Sequence, residues 1–200
     1  EYREFELNPH QKFVRNFLSN LTPYNGLLLF HGLGTGKTCS SIQVCEEVRK
    51  NHIQMGLNKK IFVVASPAVQ ENYKRQLFDD NKLEKINGLW QMKSCTGDIF
   101  INEVNPMKVK NISKNIIVNQ INTIISKSYR FFGYTAFSNY IRSIIEGKKN
   151  SKRAINKIFS DTIIVIDEVQ NIKNDSELKK KKTGEYLEKL VILSENTKLL

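Results

Sequence analysis

The sequence predicts an α/β domain in which a mainly parallel sheet lies between two layers of helices, and three observations support this fold class. Apolar runs at residues 27–30, 61–65 and 163–166 are short and uninterrupted, which is typical of parallel strands buried on both faces. Segments with a helical spacing of apolar residues separate these runs. A glycine-rich turn joins the first run to the helix that follows it. We therefore expect the three runs to be parallel neighbours or near-neighbours whose carboxyl ends face one cleft.

The turn at residues 31–38, H-G-L-G-T-G-K-T, has the composition of a phosphate-binding loop. Its glycines let backbone N–H groups turn inward, and the helix that follows adds the partial positive charge of its N-terminus. Lys37 can reach the β- and γ-phosphates of a nucleotide, and the Thr38 hydroxyl can bind Mg²⁺. The predicted nucleotide-binding residues of this turn are His31, Gly32, Leu33, Gly34, Thr35, Gly36, Lys37 and Thr38.

This turn departs from the strict phosphate-loop pattern at one position. His31 stands where the pattern has its first glycine, and Gly32 supplies the flexibility one place later. A glycine-rich turn that binds nothing is the alternative. The position of the turn between a predicted strand and a predicted helix favours the phosphate loop.

Two carboxylates follow the third apolar run, in the sequence I-V-I-D-E-V-Q. Carboxylates at the end of a buried strand are costly unless a cation or a ligand uses them, and ligands bind at this edge of a parallel sheet. Asp167 can hold Mg²⁺, directly or through water, and Glu168 can polarise an attacking water. Together with the phosphate loop, the sequence predicts a nucleotide-hydrolysing site. Lys37 and Glu168 are its catalytic residues, and Thr38 and Asp167 hold its metal ion.

The composition limits the classes of protein to which the chain can belong. The 200 residues carry a formal net charge of +11 and are 40% hydrophobic, which is enough for one packed domain. A positive charge suits a polyanionic partner, but the excess of lysine, asparagine and isoleucine is also what an A+T-rich genome encodes. No run approaches the roughly 20 apolar residues of a membrane span, so we expect no membrane partner.

The three cysteines make no C-x-x-C pair and are odd in number. Cys39 and Cys45 fall on the apolar face of the helix after the phosphate loop, so we expect them to be core residues of a protein from a reducing interior. The three histidines are scattered and no cysteine cluster accompanies them, which argues against a zinc site.

Several other stretches carry weaker predictions. Asn8 and Pro9 are typical of a helix start, and on spacing alone Gln11 is an ordinary surface residue of that helix. Loops are expected at residues 79–89 and 148–157. The aromatic residues between 129 and 134 could stack on bases, although a place in the core is favoured. The four lysines at residues 179–182 fit a solvated loop better than a nucleic-acid contact.

Taken together, these motifs resemble the first RecA-like domain of a superfamily 2 helicase. The phosphate loop resembles motif I, V-V-A-S-P-A-V-Q-E-N-Y resembles motif Ia, and I-V-I-D-E-V-Q resembles motif II, the DEAD/DEAH box. L-N-P-H-Q resembles the N-terminal glutamine motif of these proteins. The phrases C-T-G-D and F-F-G-Y-T-A-F are similar to the helicase-like NTPases of large cytoplasmic DNA viruses, the group of the poxvirus early transcription factor small subunit and nucleoside triphosphate phosphohydrolase I.

The resemblance implies roles for further residues and implies partners. It makes Gln11 an adenine contact, gives Gln170 a role in coupling the nucleotide to the nucleic-acid site, and implies ATP and Mg²⁺ as cofactors. Many relatives have His or Asp where Gln170 stands. The partner is DNA or RNA, bound through its phosphate backbone, and the transcription machinery is a further candidate. The implied nucleic-acid contacts are Ser66, Pro67, Thr96 and Gly97.

The resemblance also implies a domain organisation. Residues 1–200 correspond to one helicase ATP-binding domain that stops before motif III, and a second RecA-like domain with its arginine finger is expected beyond it. The chain alone is accordingly expected to be monomeric and weakly active, in the host cytoplasm or virion if it is viral. Two alternatives remain, a P-loop ATPase that moves protein substrates and a scaffold that does not hydrolyse ATP. The motif Ia stretch argues against the first, and the intact Lys37, Thr38, Asp167 and Glu168 argue against the second.

Overall fold

The computed structural model describes residues 8–30, 34–170 and 178–200. His31, Gly32 and Leu33, which the sequence places in the phosphate loop, lie outside the described residues. The elements in chain order are α1 (Pro9–Phe17), α2 (Lys37–Gln54), β1 (Ile61–Val64), α3 (Pro67–Leu77), a 3₁₀ turn (Asp80–Lys82), β2 (Leu83–Ile86), β3 (Leu89–Met92), α4 (Ile99–Val104), α5 (Lys114–Ser128), β4 (Tyr129–Phe132), α6 (Tyr134–Ile145), α7 (Ser151–Phe159), β5 (Ile163–Ile166), α8 (Leu178–Leu193) and β6 (Lys198–Leu199).

Four of the strands form one parallel sheet in the order β4-β1-β5-β6. Strand β1 lies in the middle, pairing with β4 on one side and with β5 on the other, where Val63 stands opposite Val165. All side chains of β1 are buried, as expected for a strand covered on both faces. The prediction that residues 61–65 and 163–166 are parallel neighbours is therefore confirmed.

Helices cover both faces of this sheet and form two separate apolar clusters. Helices α1 to α5 pack on one face, around residues such as Ile42, Leu77 and Ile121. Helices α6, α7 and α8 pack on the other face, where Phe62 and Phe159 are fully buried. The three-layer α/β fold predicted from the sequence is confirmed. Within the described part of the chain, no helix has both the length and the apolarity needed to cross a membrane.

The first predicted strand, residues 27–30, is not a strand of this sheet. Gly26 forms a single parallel bridge with Leu199, and the Leu27 N–H donates to the carbonyl of Leu199. Leu27 and Leu29 pack against the core, whereas Leu28 and Phe30 are 73% and 95% exposed. The segment is extended along the edge beside the two-residue strand β6, so only alternate side chains are covered and the expectation of burial on both faces is wrong.

Three predicted loops contain regular structure. Residues 79–89 hold the 3₁₀ turn and strand β2, which pairs antiparallel with β3 around Asn87 and Gly88. Both turn residues have positive φ, as a tight hairpin turn requires. Residues 148–157 enter α7, because Ile155 and Phe159 are one helical turn apart and both are buried. Lysines 179–182 belong to α8, which begins at Leu178 rather than at residue 185.

The aromatic residues after α5 are core residues, as favoured from the sequence. Strand β4 places Tyr129 and Phe131 on one face of the sheet and Phe132 on the other. The Phe132 ring lies 5.5 Å from the Phe137 ring and 5.1 Å from the Tyr140 ring. These ring contacts are typical of a packed core, as the sequence favoured.

The cysteine prediction needs a correction. Cys39 is only partly buried against the core, and it is joined to Cys95 by a disulfide across 56 residues of sequence. Cys45 is fully buried as expected, and burial raises the pKa of its thiol to about 12. Sequence spacing could not reveal the pair, because the two cysteines meet only through the packing of α2 against the loop before α4.

A buried ionic cluster joins α2 to α4 and β4. The Arg49 guanidinium lies 2.8 Å from the carboxylates of both Glu46 and Glu103, and the Tyr129 hydroxyl donates to Glu46 at 2.6 Å. Burial alone would lower the pKa of Arg49, but its hydrogen bond to Glu103 and the charge of Glu46 raise it overall. The cluster is therefore stable only while its charges are paired.

We expect Arg49→Met to lower the free energy of unfolding by about 3–5 kcal/mol, because the variant leaves the buried Glu46 carboxylate without its cation. Chemical denaturation measures this change. Lys74→Met is the matched control, since Lys74 pairs with Glu71 at the surface, where an ion pair adds little to the free energy of unfolding. Equal losses in the two variants would contradict the assignment.

His52 makes the stability of the fold dependent on pH. Its ring lies 2.6 Å from the carbonyl of Asp161, and burial lowers its pKa below the ordinary value of 6.5, a shift that Asp161 partly offsets. His52 therefore binds a proton more readily in the unfolded chain than in the folded chain. We expect the free energy of unfolding to keep its full value above pH 6.5 and to decrease as the pH falls below 6.5. The His52→Asn variant should show a weaker dependence, and an identical pH profile would refute the explanation.

Candidate functional site

The phosphate loop ends in two glycines whose backbone no other residue adopts easily. Gly34 and Gly36 have φ values of 79° and 82°. A Cβ atom at Gly36 would also come within 2.8 Å of the Gln11 amide nitrogen. Gly36 caps α2, and the Ser40 N–H closes the first helical hydrogen bond to the Gly36 carbonyl. The first N–H groups of α2 thus point out of the helix towards the cleft, in the arrangement that binds phosphate oxygens.

Helix α1 packs against this loop and supports its backbone. The Nε2 atom of His10 lies 3.1 Å from the carbonyl oxygen of Thr35, so this nitrogen is the donor. Gln11 is 4% exposed and its amide oxygen accepts the N–H of Asn8. The expectation of an ordinary surface glutamine is therefore wrong. Its contact with adenine stays a prediction. In this structure its amide nitrogen faces Gly36.

The motif II turn begins where β5 ends. The Asp167 N–H donates to the Val64 carbonyl, which fixes the first carboxylate at the carboxyl end of the sheet. Glu168 has a φ of 51°, in the left-handed region that non-glycine residues seldom adopt. The Gln170 amide donates to the Glu168 carboxylate. The turn therefore orients Glu168 by backbone conformation and by a neighbouring side chain, a feature often found at functional sites.

Lys37, Thr38, Asp167, Glu168 and Gln170 line the same cleft, which has a volume of about 200 Å³. Its walls also include the apolar residues Leu29, Val69, Tyr73 and Leu200. Burial raises the pKa of Asp167, the charge of Glu168 raises it further, and the charge of Lys37 lowers it. The cationic and anionic groups predicted from two separate motifs thus act on one another across one space.

These residues fit a nucleotide with its metal ion. Thr38 and Asp167 offer oxygen ligands, which Mg²⁺ prefers. Asp167 is half-buried beside a second carboxylate, and a divalent cation would offset that repulsion. The left-handed glycines of the phosphate loop and the N-terminus of α2 can bind the phosphates of the nucleotide. ATP with Mg²⁺ would bring the phosphoryl group and the neutralising charge, while Lys37, Thr38 and Asp167 would hold them and Glu168 would orient water.

The predicted nucleic-acid residues fall into two places with different accessibility. Ser66 caps α3 and Pro67 is its exposed first residue, so the N-terminus of α3 is open to a phosphate. Thr96 is only 2% exposed and its hydroxyl donates to the Leu77 carbonyl. The Gly97 N–H is used by the carbonyl of Ser94. The side chain of Thr96 is therefore not available to a ligand, which corrects that part of the prediction.

Two residues that support the site were not found from the sequence. His10 holds the phosphate loop, as described above. The Tyr134 hydroxyl donates to the backbone carbonyl of Asp167 at 2.7 Å and ties the start of α6 to the motif II turn. Both act on backbone carbonyls that lie far away in sequence, so no local pattern marks them. For His10, its place beside Gln11 was the available signal.

Several known proteins have sequences similar to this chain over most of its length. The family model described as "Type III restriction enzyme, res subunit" matches residues 4–194. A protein of Acanthamoeba polyphaga mimivirus, provisionally named an ATP-dependent RNA helicase, is 29% identical over 98% of this chain. Provisionally named helicases of Invertebrate iridescent virus 3 and Frog virus 3 are 26% and 28% identical over 87% and 82% of it. The chain spans 17%, 16% and 15% of the lengths of these three relatives.

Proposed function

The chain belongs to the family described as Type III restriction enzyme, res subunit, and from this membership and the cleft we propose that it is the ATP-binding motor domain of a nucleic-acid-dependent ATPase of the helicase type. The observation that carries the proposal is the cleft shared by Lys37, Thr38, Asp167 and Glu168. Both halves of a phosphoryl-transfer site, the phosphate loop and the acidic turn, meet there. Relatives named as helicases in two viruses support a helicase of viral origin, and its role in transcription or genome handling is part of the proposal.

Each residue has a part in the proposed reaction. Lys37 and the N-terminus of α2 bind the β- and γ-phosphates, and Thr38 and Asp167 hold Mg²⁺. Glu168 orients the water that attacks the γ-phosphorus and accepts its proton. Gln170 contacts Glu168 directly, so a change at Gln170 is transmitted to the water-orienting carboxylate. This contact is how we propose that nucleic acid and nucleotide are coupled.

The proposed nucleic-acid surface runs over the carboxyl edge of the sheet. The open N-terminus of α3 at Ser66 and Pro67 offers backbone N–H groups to a phosphate. Gly97 lies in a second loop, which the Cys39–Cys95 disulfide holds beside the first turn of α2, and Lys93 is an exposed cation of the same loop. Contacts of this kind read the backbone rather than the bases, so affinity should fall steeply with salt and depend little on sequence.

A second RecA-like domain completes the proposed motor. In this family that domain brings an arginine to the γ-phosphate, and such a residue is worth roughly 10³–10⁵ in rate at related sites. Residues 1–200 by themselves should then bind ATP and turn it over very slowly. Nucleic acid should not rescue the rate, because stimulation works by closing two domains on the nucleotide.

A steady-state ATPase assay tests the proposed function on two proteins, the 200-residue chain and the natural protein in its full length. We expect slow, unstimulated hydrolysis by the chain, and hydrolysis stimulated by DNA or RNA in the full-length protein. Raising the salt concentration should remove the stimulation. Absence of any stimulation in the full-length protein would contradict the proposal. Strong stimulation of the chain alone would contradict the need for a second domain.

A further inference from the structure

The disulfide between Cys39 and Cys95 joins two places that matter to the proposed site. Cys39 directly follows Thr38 in the first turn of α2, and Cys95 directly precedes Thr96 in the loop that leads to α4. Their Cα atoms are 5.3 Å apart. The bond therefore fastens the helix of the phosphate loop to the loop of residues 93–98, here called the Cys95 loop.

Without this bond the Cys95 loop is held by hydrogen bonds and by the packing of its buried residues Ser94, Cys95 and Thr96. The Gln43 amide of α2 donates to the Cys95 carbonyl, and the Thr96 hydroxyl donates to the Leu77 carbonyl. The Cys95 sulfur lies 3.2 Å from the Gln76 amide oxygen, so a free thiol at this position has an acceptor. Both the oxidised and the reduced form of Cys95 can thus be accommodated with their polar groups satisfied.

The three cysteines differ in their access to reagents. Cys95 is 3% exposed and Cys45 is fully buried, whereas Cys39 is partly exposed at the start of α2. Burial also raises the pKa of Cys45 to about 12, which keeps that thiol unreactive at neutral pH. An external reagent therefore meets Cys39 first, and Cys95 is the only other cysteine close to it.

We propose that Cys39 and Cys95 form a reversible oxidation site that fastens the phosphate-loop helix to the Cys95 loop and responds to disulfide oxidants. The Cys39 thiolate attacks one sulfur of the oxidant disulfide and bonds to it as a mixed disulfide, while the other sulfur of the oxidant leaves as a thiolate. The Cys95 thiolate then attacks the Cys39 sulfur and expels the second half of the oxidant. Two protein thiols lose two electrons and two protons, and the oxidant disulfide becomes two thiols. A dithiol reverses the sequence.

Oxidation changes how firmly the Cys95 loop is held. A segment held only by packing and hydrogen bonds can still open locally, whereas a covalent link to α2 removes most of that freedom. On the proposed function, this loop carries the nucleic-acid contact at Gly97, so oxidation orders that contact in advance of binding. In a reducing interior such a bond is transient and regulatory rather than structural.

Oxidised glutathione is the probe for the test, applied to the reduced, purified chain. We expect the peptides containing Cys39 and Cys95 to be recovered cross-linked, with one free thiol remaining, and dithiothreitol to reverse the change. Closing a loop of this length should raise Tm on the order of 10 °C. Amide hydrogen exchange in the Cys95 loop should slow on oxidation.

Variants separate this pair from the remaining cysteine. Cys45→Ser should respond to oxidised glutathione like the wild type, whereas Cys39→Ser and Cys95→Ser should show neither the cross-link nor the rise in Tm. A stable glutathione adduct on Cys39 with Cys95 still free would overturn the proposal. So would a rise in Tm that Cys39→Ser retains.

The effect of oxidation on nucleic-acid binding rests on the proposed function, and it is measured separately from the cross-link and the Tm. We expect the oxidised chain to bind single-stranded DNA or RNA more tightly by up to about tenfold, the effect of ordering a short loop in advance of binding. Equal affinities of the two forms would overturn this part. The cross-link and the Tm do not depend on ATP, so their presence in a chain that fails to bind ATP would refute the proposed function alone.

Discussion

Replacing Lys37 with alanine should weaken ATP binding by at least about 30-fold. The ammonium group is a point charge for desolvated phosphates, and removing one partner of such a pair costs about 2–5 kcal/mol, of which each 1.4 kcal/mol is tenfold in affinity. The effect is large because Lys37, the first residue of α2, lines the same cleft as the carboxylate of Asp167. Isothermal titration calorimetry of the two proteins with ATP and Mg²⁺ measures it.

Lys50→Ala is the matched control for this variant. Lys50 lies in the same helix but is exposed near its other end, so its removal changes the net charge equally without touching the cleft. We expect the control to bind ATP like the wild type. If Lys37→Ala and Lys50→Ala have the same affinity, the phosphate-loop assignment is wrong.

Replacing Glu168 with glutamine should lower kcat by about 10²–10⁴, the usual contribution of a positioned general base. ATP affinity should stay near the wild-type value or rise slightly, because the variant removes a negative charge that faces the phosphates. The glutamine oxygen can still accept the hydrogen bond from Gln170, so the turn keeps its shape. The full-length protein under saturating nucleic acid is the system in which kcat is measured.

Separating binding from hydrolysis is what makes this second variant informative. Glu84→Gln, on the exposed strand β2, carries the same chemical change far from the cleft and should leave kcat unaltered. A loss of ATP affinity as large as the loss of kcat would mean that Glu168 supports the fold of the turn rather than the attacking water.

The sequence predicted those parts of the site that depend on short, continuous patterns. The start of α2 after Gly36 and the end of β5 before Asp167 are both where the local pattern puts them. Buried parallel strands have continuous apolar runs, and a phosphate loop needs its glycines at fixed spacing. The meeting of Lys37 with Asp167 then follows from parallel alignment, because the segment that leads to the phosphate loop lies parallel beside β6, and β6 pairs in parallel with β5.

The features that the sequence did not reveal depend on tertiary packing. The hydrogen bond of Tyr134 to Asp167 and the disulfide of Cys39 with Cys95 each join segments more than 30 residues apart. The exposure of Phe30 depends on the position of its segment at the sheet edge rather than on its apolar neighbours. Two misses were avoidable, because the Asn87-Gly88 dipeptide and the apolar pairs of α7 were present as local signals.

The central claim is that the cleft between the phosphate loop and the motif II turn is a site for ATP with Mg²⁺, and the most direct test is the dependence of ATP affinity on the metal. Calorimetric titration of the 200-residue chain with ATP, with Mg²⁺ present and with the metal chelated, measures it. We predict one bound nucleotide per chain and an affinity that falls sharply without the metal, a difference that Asp167→Asn should largely abolish. Binding that is unaffected by Mg²⁺ in the wild type, or no binding at all, would contradict the claim.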